Sequence, residues 1–356
     1  MLEVSIEHNL GSFNLDVSFS LNKGVLGLLG SSGCGKSMTL KTIAGFFAPD
    51  NGEIKLNGEI FYSSKQKINL PSRKRKIGYV FQNYALFPHM TVYKNIDYGI
   101  KHLKKDERYK KVNEMITRMQ LEGLSNHYPS QLSGGQQQRT ALARTLIAEP
   151  DLLLLDEPFS ALDAHVKQLL EIELIELIKN SYNGIVLLVT HDIEEAYRIC
   201  DQIMIIEKGM NYPVMGKKDL ICHPPNLTAA MITGCKNFLD VTLIDESDEN
   251  LRLQSGRLIF DAVKPVQPVD GMMTAGIRAH HLRFVPKDSV NDNNYAVEVV
   301  EVIEGVYSNT IIVNCSGCVL RVETSKTFDF GMPEEWLLHI PAKRVFLIKR
   351  DQRDKH

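Results

Sequence analysis

The sequence predicts an α/β chain built on a mainly parallel sheet, followed by an all-β segment. Three observations predict it. A complete GxxxxGKS loop, Gly30 to Ser37, stands between the apolar run Val25 to Leu29 and a helix-compatible stretch from Met38 to Phe47. Strand and helix patterns then alternate as far as Gly234. From Phe238 onward short alternating runs separated by turn residues replace the helices, the pattern of a barrel-like β domain.

A chain of 356 residues needs more than one core, since domains usually hold about 100–200 residues. We place the boundary between 1–234 and 235–356, with a helical subdomain at 83–148. An apolar share of 44% and a charged share of 24% indicate a folded chain, and a net charge of −2 gives no reason to expect a nucleic-acid partner. No apolar run has the length of a membrane-crossing helix, and the N-terminus lacks the pattern of a secretory signal, so a cytoplasmic location is expected. The six cysteines show no disulfide framework. Cys315 and Cys318 read as thiols flanking the turn Ser316-Gly317. Cys34 lies in the glycine loop, where a helix N-terminus would make its thiol reactive.

Taken in order, Met1 to Gly24 alternates as two antiparallel strands broken at Leu10-Gly11-Ser12. Glu53 to Leu56 and Ile60 to Tyr62 flank the hairpin turn Asn57-Gly58. The basic run Arg73-Lys74-Arg75-Lys76 reads as a solvated face before the strand Ile77 to Phe81, which ends at Gln82. Helical periodicity runs from Thr91 to Leu124 and again over Gln137 to Glu149. Leu152 to Leu155 is a strand ending at Asp156-Glu157, Ala164 to Lys179 a helix, Ile185 to Thr190 a strand ending at His191, Ile193 to Ile199 a helix and Gln202 to Glu207 a strand.

The chemistry begins at the loop Gly30-Ser31-Ser32-Gly33-Cys34-Gly35-Lys36-Ser37. Its glycines let backbone N–H groups converge on phosphate oxygens, and the following helix presents its positive end to the same anion. Lys36 would reach the β- and γ-phosphates of ATP, and Ser37 would ligate Mg2+. Asp156 would hold the metal, while Glu157 would polarise an attacking water. His191 would keep that water aligned from the neighbouring strand, and Gln82 could touch the metal or the water. Leu132-Ser133-Gly134-Gly135-Gln136, immediately before a helix, offers a second anion-binding surface. With only one lysine-bearing loop in the chain, this second surface is expected to serve another copy of the protein, two chains closing head to tail on ATP.

These motifs together, with Ser160-Ala161-Leu162-Asp163, resemble the ATP-binding-cassette family over residues 1–234. The resemblance implies a P-loop NTPase fold with an antiparallel β-subdomain and a helical subdomain, and a homodimeric ATPase docked on transmembrane permease subunits. It further implies a peripheral place on the cytoplasmic face of the membrane and an extracytoplasmic solute-binding protein as indirect partner. It makes Gln82 a link to the membrane partner and Asp163 a link to the opposite subunit. The runs Gly78 to Gln82 and Leu86 to His89, with the β-rich tail, resemble importers of oxyanions and related small solutes, and Leu10 to Phe13, Leu56 to Tyr62 and Ile68 to Pro71 are most similar to molybdate importers. Sulfate, iron, sugar or polyamine import is the alternative, with a soluble non-transport cassette behind it. The aromatic that stacks on adenine would be Phe13, unless Leu10 takes its place. The tail is similar to small oligomer-binding-fold domains, and either binds a regulatory ligand or supports the dimer.

Overall fold

The computed structural model describes residues 1–160, 162–265, 273–289, 293–328 and 336–349. Two compact units divide the chain, Met1–Lys217 and Lys218–His356.

The first unit contains a single mixed sheet of 12 strands. Strict alternation makes β1 (Leu2–Asn9) and β2 (Asn14–Leu21) a one-sided antiparallel pair, every second residue facing the core. Strands β4 (Asn51–Leu56), β5 (Glu59–Ser63) and β6 (Ile68–Asn69) extend it beyond β1. Asn57 and Gly58, both at positive φ (51° and 84°), turn the β4–β5 hairpin as the Asn-Gly pair predicts.

The other half is parallel. Strands β10 (Gln202–Glu207), β3 (Gly24–Leu29), β9 (Ile185–Val189), β8 (Leu152–Asp156) and β7 (Ile77–Val80) lie side by side in that order. β8 and β9 are buried along their whole length, as strands covered on both faces must be, and their leucines and valines supply the core. Two short strands, β11 (Met210–Asn211) and β12 (Met215–Gly216), pair with β10, and β11 also joins it to β2.

Helix α1 spans Lys36–Ala44 and stops earlier than the expected Phe47, because Gly45 caps it in the left-handed conformation (φ 81°). Phe46 and Phe47 are therefore exposed outside the helix. The region read as helical resolves into α2 (Val92–Asp97), α3 (Lys105–Arg118) and α4 (Gly134–Leu146), with irregular turns between them. α5 (Ala164–Ser181) and α6 (Ile193–Ile199) follow β8 and β9. Among the described residues no helix is long and apolar enough to cross a membrane.

The basic run departs from expectation. Arg75 is 4% exposed rather than solvated. Its guanidinium donates to the carbonyls of Thr42 (3.1 Å), Ile43 (2.6 Å), Leu70 (2.8 Å) and Phe61 (3.3 Å) and to Asn69 Oδ1 (3.2 Å). Thr42 and Ile43 lie in the last turn of α1, whose carbonyls lack i+4 donors; the Gly45 N–H reaches that of Thr42 at 3.0 Å, and Arg75 serves that of Ile43. Arg75 thus caps the helix that starts at the glycine loop, and burial lowers its pKa to about 10. Cys34 also departs from expectation: it is 4% exposed and packs in the core cluster, so the thiol is sheltered.

Among the described residues the second unit is mostly β, preceded by the helices α7 (Lys217–Cys222), which begins at the division, and α8 (Leu227–Ile232). Five strands, β13 (Asn237–Glu246), β14 (Asn250–Ser255), β15 (Leu258–Val263), β16 (Met273–Ile277) and β23 (Val345–Lys349), form one antiparallel sheet in the order β15-β14-β13-β16-β23. Two three-stranded sheets complete it, one of β17 (Arg283–Pro286), β22 (Trp336–His339) and β18 (Asn294–Ala296), the other of β19 (Glu298–Glu304), β20 (Ser308–Cys315) and β21 (Cys318–Ser325). Cys315 and Cys318 pair across the Ser316-Gly317 turn as free thiols. The division at 217 lies earlier than the expected 234, because the helices go with the strands. The buried Arg278 donates to the carbonyls of Ile221 (2.8 Å) and Thr233, and Ala230 and Cys235 cluster with Phe346 and Ile348.

Two outcomes follow from these burials. Arg75→Ala takes the donor from the Ile43 and Leu70 carbonyls, while Thr42 keeps the Gly45 N–H and Phe61 the Leu70 N–H; an orphaned buried carbonyl costs about 1–3 kcal/mol, so the melting temperature of the first unit should fall by about 3–8 °C in calorimetry. Alkylation followed by mass spectrometry should label the exposed Cys222 first, with Cys34 slower by roughly tenfold or more.

Candidate functional site

The parallel strands end at one edge of the sheet, and the chemistry-bearing residues sit on the loops that leave it. β3 runs into the glycine loop, β7 into Gln82, β8 into Asp156-Glu157 and β9 into His191. β9 lies between β3 and β8, and β7 borders β8.

The loop depends on its glycines for closeness. A Cβ at Gly30 would sit 2.2 Å from the Ile206 carbonyl oxygen, and one at Gly35 would meet Leu15 at 2.7 Å and the Phe13 ring at 3.3 Å. Gly35 is also the N-cap of α1, at φ 112°. Lys36 opens the helix and folds back over the loop, its Nζ donating to the carbonyls of Gly30 (2.8 Å) and Ser31 (2.9 Å). The Phe13 ring stands beside an open cleft of about 740 Å³ that Ser31, Ser32 and Gly33 also line. Leu10 is 42% exposed and is not part of that wall.

Ser37 and Asp156, 119 residues apart, meet: the hydroxyl donates to Asp156 Oδ1 at 2.7 Å. Tyr79, on β7, donates to the other carboxylate oxygen at 2.8 Å. Burial, reinforced by the Asp156 charge, pushes the Tyr79 phenol well above its ordinary value, so it remains a donor. Asp156 is 6% exposed, and a buried carboxylate held by two hydroxyls beside a phosphate loop is a hard-oxygen donor set that fits magnesium.

Glu157 follows in the left-handed conformation, φ 46°, with its N–H donating to the Val189 carbonyl at 3.0 Å. This turn brings its carboxylate toward two neighbours. Gln82 Nε2 donates to Glu157 Oε2 at 3.4 Å, and His191 Nδ1 stands 3.6 Å from the same oxygen. His191 is 62% exposed, open to a ligand on its outer side. The three residues expected to handle the attacking water thus converge, and such a carboxylate can take a proton from it.

Ser133 to Gln136 are arranged otherwise. Ser133 caps α4 and forms a closed capping box with Gln136: the Ser133 hydroxyl accepts from the Gln136 N–H (3.3 Å), and Gln136 Oε1 accepts from the Ser133 N–H (2.9 Å). Leu132, just before the cap, is buried. Among the described residues no hydrogen bond joins Ser133–Gln136 to the glycine loop of the same chain. Gly134 and Gly135 lie close to the start of α5: a Cβ at the first would meet Leu162, just before the helix, at 3.0 Å, and one at the second would meet Val166, in its first turn, at 3.2 Å. Asp163 caps α5 by accepting from the Val166 N–H at 3.1 Å, so this motif and Asp163 share one neighbourhood; Ala161 lies outside the described residues.

Sequence reasoning missed two residues here. Lys167 donates to Asp192 Oδ2 (2.7 Å) and stands 3.0 Å from Glu195 and 3.8 Å from the buried Glu171, tying α5 to the residue after His191. Burial opposes both charges, yet the contact raises the Lys167 ammonium and lowers the Asp192 carboxyl. Its i,i+4 spacing to Glu171 was the visible signal. Tyr79 had none, because a tyrosine in a strand usually reads as packing.

The ABC transporter family model matches residues 15–160. The chain is 44% identical over 243 residues to the Fe(3+) ions import ATP-binding protein FbpC 2 of Haemophilus influenzae, covering 67% of each chain. It is 42% identical over 208 residues to the molybdate/tungstate import ATP-binding protein WtpC of Archaeoglobus fulgidus, covering 58% of this chain and 84% of the relative. Further relatives carry names for sulfate/thiosulfate and spermidine/putrescine import. Among solved structures, a dimeric post-hydrolysis ATP-binding cassette bound to ADP and Pi is similar at a TM-score of 0.51 and 29% identity, over 61% of this chain and 99% of that one. A loop, a carboxylate pair and a capped glycine motif in this geometry, with relatives of this kind, mean that the chain belongs to the ABC transporter family as one of its ATP-binding, ATP-hydrolysing cassettes.

Proposed function

We propose that the chain is the energy-coupling ATPase of an importer for molybdate or a related oxyanion, working as a head-to-tail pair on the cytoplasmic face of the membrane. The observation that carries the hydrolytic part is the convergence of Gln82 and His191 on one oxygen of Glu157, beside the Ser37–Asp156 contact. The importer part rests on the relatives, whose names all specify import.

In this reading the Lys36 ammonium leaves the carbonyls of Gly30 and Ser31 for the β- and γ-phosphates, which also lie on the N–H groups of residues 31–37. Ser37 and Asp156, with Gln82, would hold a magnesium ion, which would neutralise charge on the phosphates. Glu157 accepts the proton of the attacking water, and the amide of Gln82 and the imidazole of His191 orient the water and the γ-phosphate. The capping box at Ser133 lies on exposed surface, available to the nucleotide of a second copy, and the dimeric cassette among the similar structures supports that pairing. Asp163, next to that motif, carries the message between copies. The helical segment after Gln82 docks on the permease, to which a solute-binding protein delivers cargo from outside. For the second unit we favour a supporting role in the dimer over oxyanion sensing, since its buried Arg278 is committed to backbone carbonyls.

Lys36→Ala should remove ATP binding measured by calorimetry. Glu157→Gln should bind ATP and pair in size-exclusion chromatography, while hydrolysis falls by roughly 10²–10⁴-fold; hydrolysis at the wild-type rate would remove Glu157 from the proton transfer. Vesicles carrying the chain with its permease should take up molybdate in competition with tungstate. Uptake that yields instead to ferric iron or spermidine would overturn the oxyanion assignment.

A further inference from the structure

The segment that follows Gln82 is held in an uncommon shape by a residue with no role so far. Tyr84 and Ala85 are consecutive non-glycine residues in the left-handed region, at φ 60° and 43°. L-residues visit this region rarely and singly, so two in succession persist only where the surroundings enforce them. Arg144, near the end of α4, supplies the enforcement. Its guanidinium donates to the Tyr84 carbonyl at 2.9 Å and to the Ala85 carbonyl at 2.7 Å, and it lies 5.3 Å from the centre of the Phe87 ring.

The rest of the segment is fastened independently. Asn95, fully buried on α2, accepts from the Phe87 N–H at 2.9 Å and donates to the carbonyls of Phe87 (3.2 Å), Met90 (3.0 Å) and Thr91 (3.1 Å). The Tyr84 ring is buried, and its N–H returns to the Phe81 carbonyl at 2.9 Å. Gln82 lies inside that turn, exposed, with its amide reaching Glu157. Ser133 caps the same helix that carries Arg144, eleven residues earlier in the chain, or roughly 16 Å along a rigid axis.

We infer that Arg144 is a positioning residue for Gln82: by clamping the left-handed Tyr84–Ala85 turn to α4, it holds the Gln82 amide against Glu157 and ties it to the helix that Ser133 caps. The inference rests on the proposed role of Gln82 in hydrolysis. A lysine in place of Arg144 keeps the charge but cannot offer the planar fork that two adjacent carbonyls require.

The test is a set of variants of the full chain: Arg144→Met, Arg144→Lys, Gln82→Ala, Ala85→Gly and the two double variants Arg144→Met/Gln82→Ala and Arg144→Met/Ala85→Gly. Steady-state ATP hydrolysis and amide hydrogen exchange of residues 82–90 are measured, with residues 30–40 as internal reference. Arg144→Met should lower kcat by about tenfold while KM for ATP stays within about twofold, with Arg144→Lys between it and the wild type. Exchange at 83–86 should rise about tenfold without change in the reference segment. In the Gln82→Ala background the same substitution should add less than about twofold, since the two act through one group. Ala85→Gly relieves the left-handed residue that the clamp enforces, so alone it should leave kcat within about twofold, and in the Arg144→Met chain it should recover kcat by about threefold or more.

Unchanged exchange at 83–86, equal losses in both backgrounds, or failure of Ala85→Gly to recover activity would each overturn the inference. If Gln82→Ala itself hydrolyses ATP at the wild-type rate, the role of Gln82 has failed instead, and the exchange comparison alone decides whether Arg144 clamps the turn. Should Arg144→Met fail to fold, Arg144→Lys carries the same comparisons with smaller expected changes.

Discussion

Parallel strands buried on both faces leave only their ends free for chemistry, and the residues gathered around Asp156 and Glu157 follow from that constraint. β3, β9, β8 and β7 all point the same way, so the glycine loop, His191, Asp156-Glu157 and Gln82 leave one edge of the sheet. Register then sets the finer geometry. Asp156 pairs with Val189, which places His191 two residues beyond the level of the buried carboxylate, beside Glu157. The left-handed Glu157 completes the arrangement by breaking the strand direction at the point where its carboxylate must turn.

Most of this was legible in the sequence because it is written in local patterns. Glycine loops, apolar strands ending in paired carboxylates and a serine-capped glycine motif each need only a few adjacent residues to be recognised. What could not be read depends on distant pairs. Arg75 sits in a run of four basic residues and looks solvated, yet the carbonyls it serves belong to a helix some thirty residues earlier and to a neighbouring hairpin. Tyr79 and Arg144 are similar cases, a strand tyrosine and a helix arginine whose partners lie 77 and 60 residues away. Cys34 was misread for the opposite reason: its local setting at a helix start suggested reactivity, while core packing decided otherwise.

The charged residues around the site share a logic. Asp156, with Ser37 and Tyr79, is supported by neutral hydroxyls, whereas Asp192 meets the Lys167 ammonium. Hydroxyl donors orient a carboxylate without supplying a countercharge, while one already paired with an ammonium is fixed in place and serves as a strut. Lys167 joins α5 to the start of α6 through Asp192 and Glu195, so the helix that Asp163 caps and the helix that follows His191 are tied by one ammonium.

The cap on α1 has a consequence for how this protein can vary. A Cβ at Gly45 would come within 2.7 Å of the Arg75 guanidinium carbon, and the left-handed φ of 81° also suits glycine alone. Positions 45 and 75 are therefore coupled, but unequally. Shrinking Arg75 would clear the space without changing the left-handed φ at 45, and it would take the guanidinium from the Ile43 carbonyl while the Gly45 N–H stays on that of Thr42, so position 45 remains a glycine whatever stands at 75.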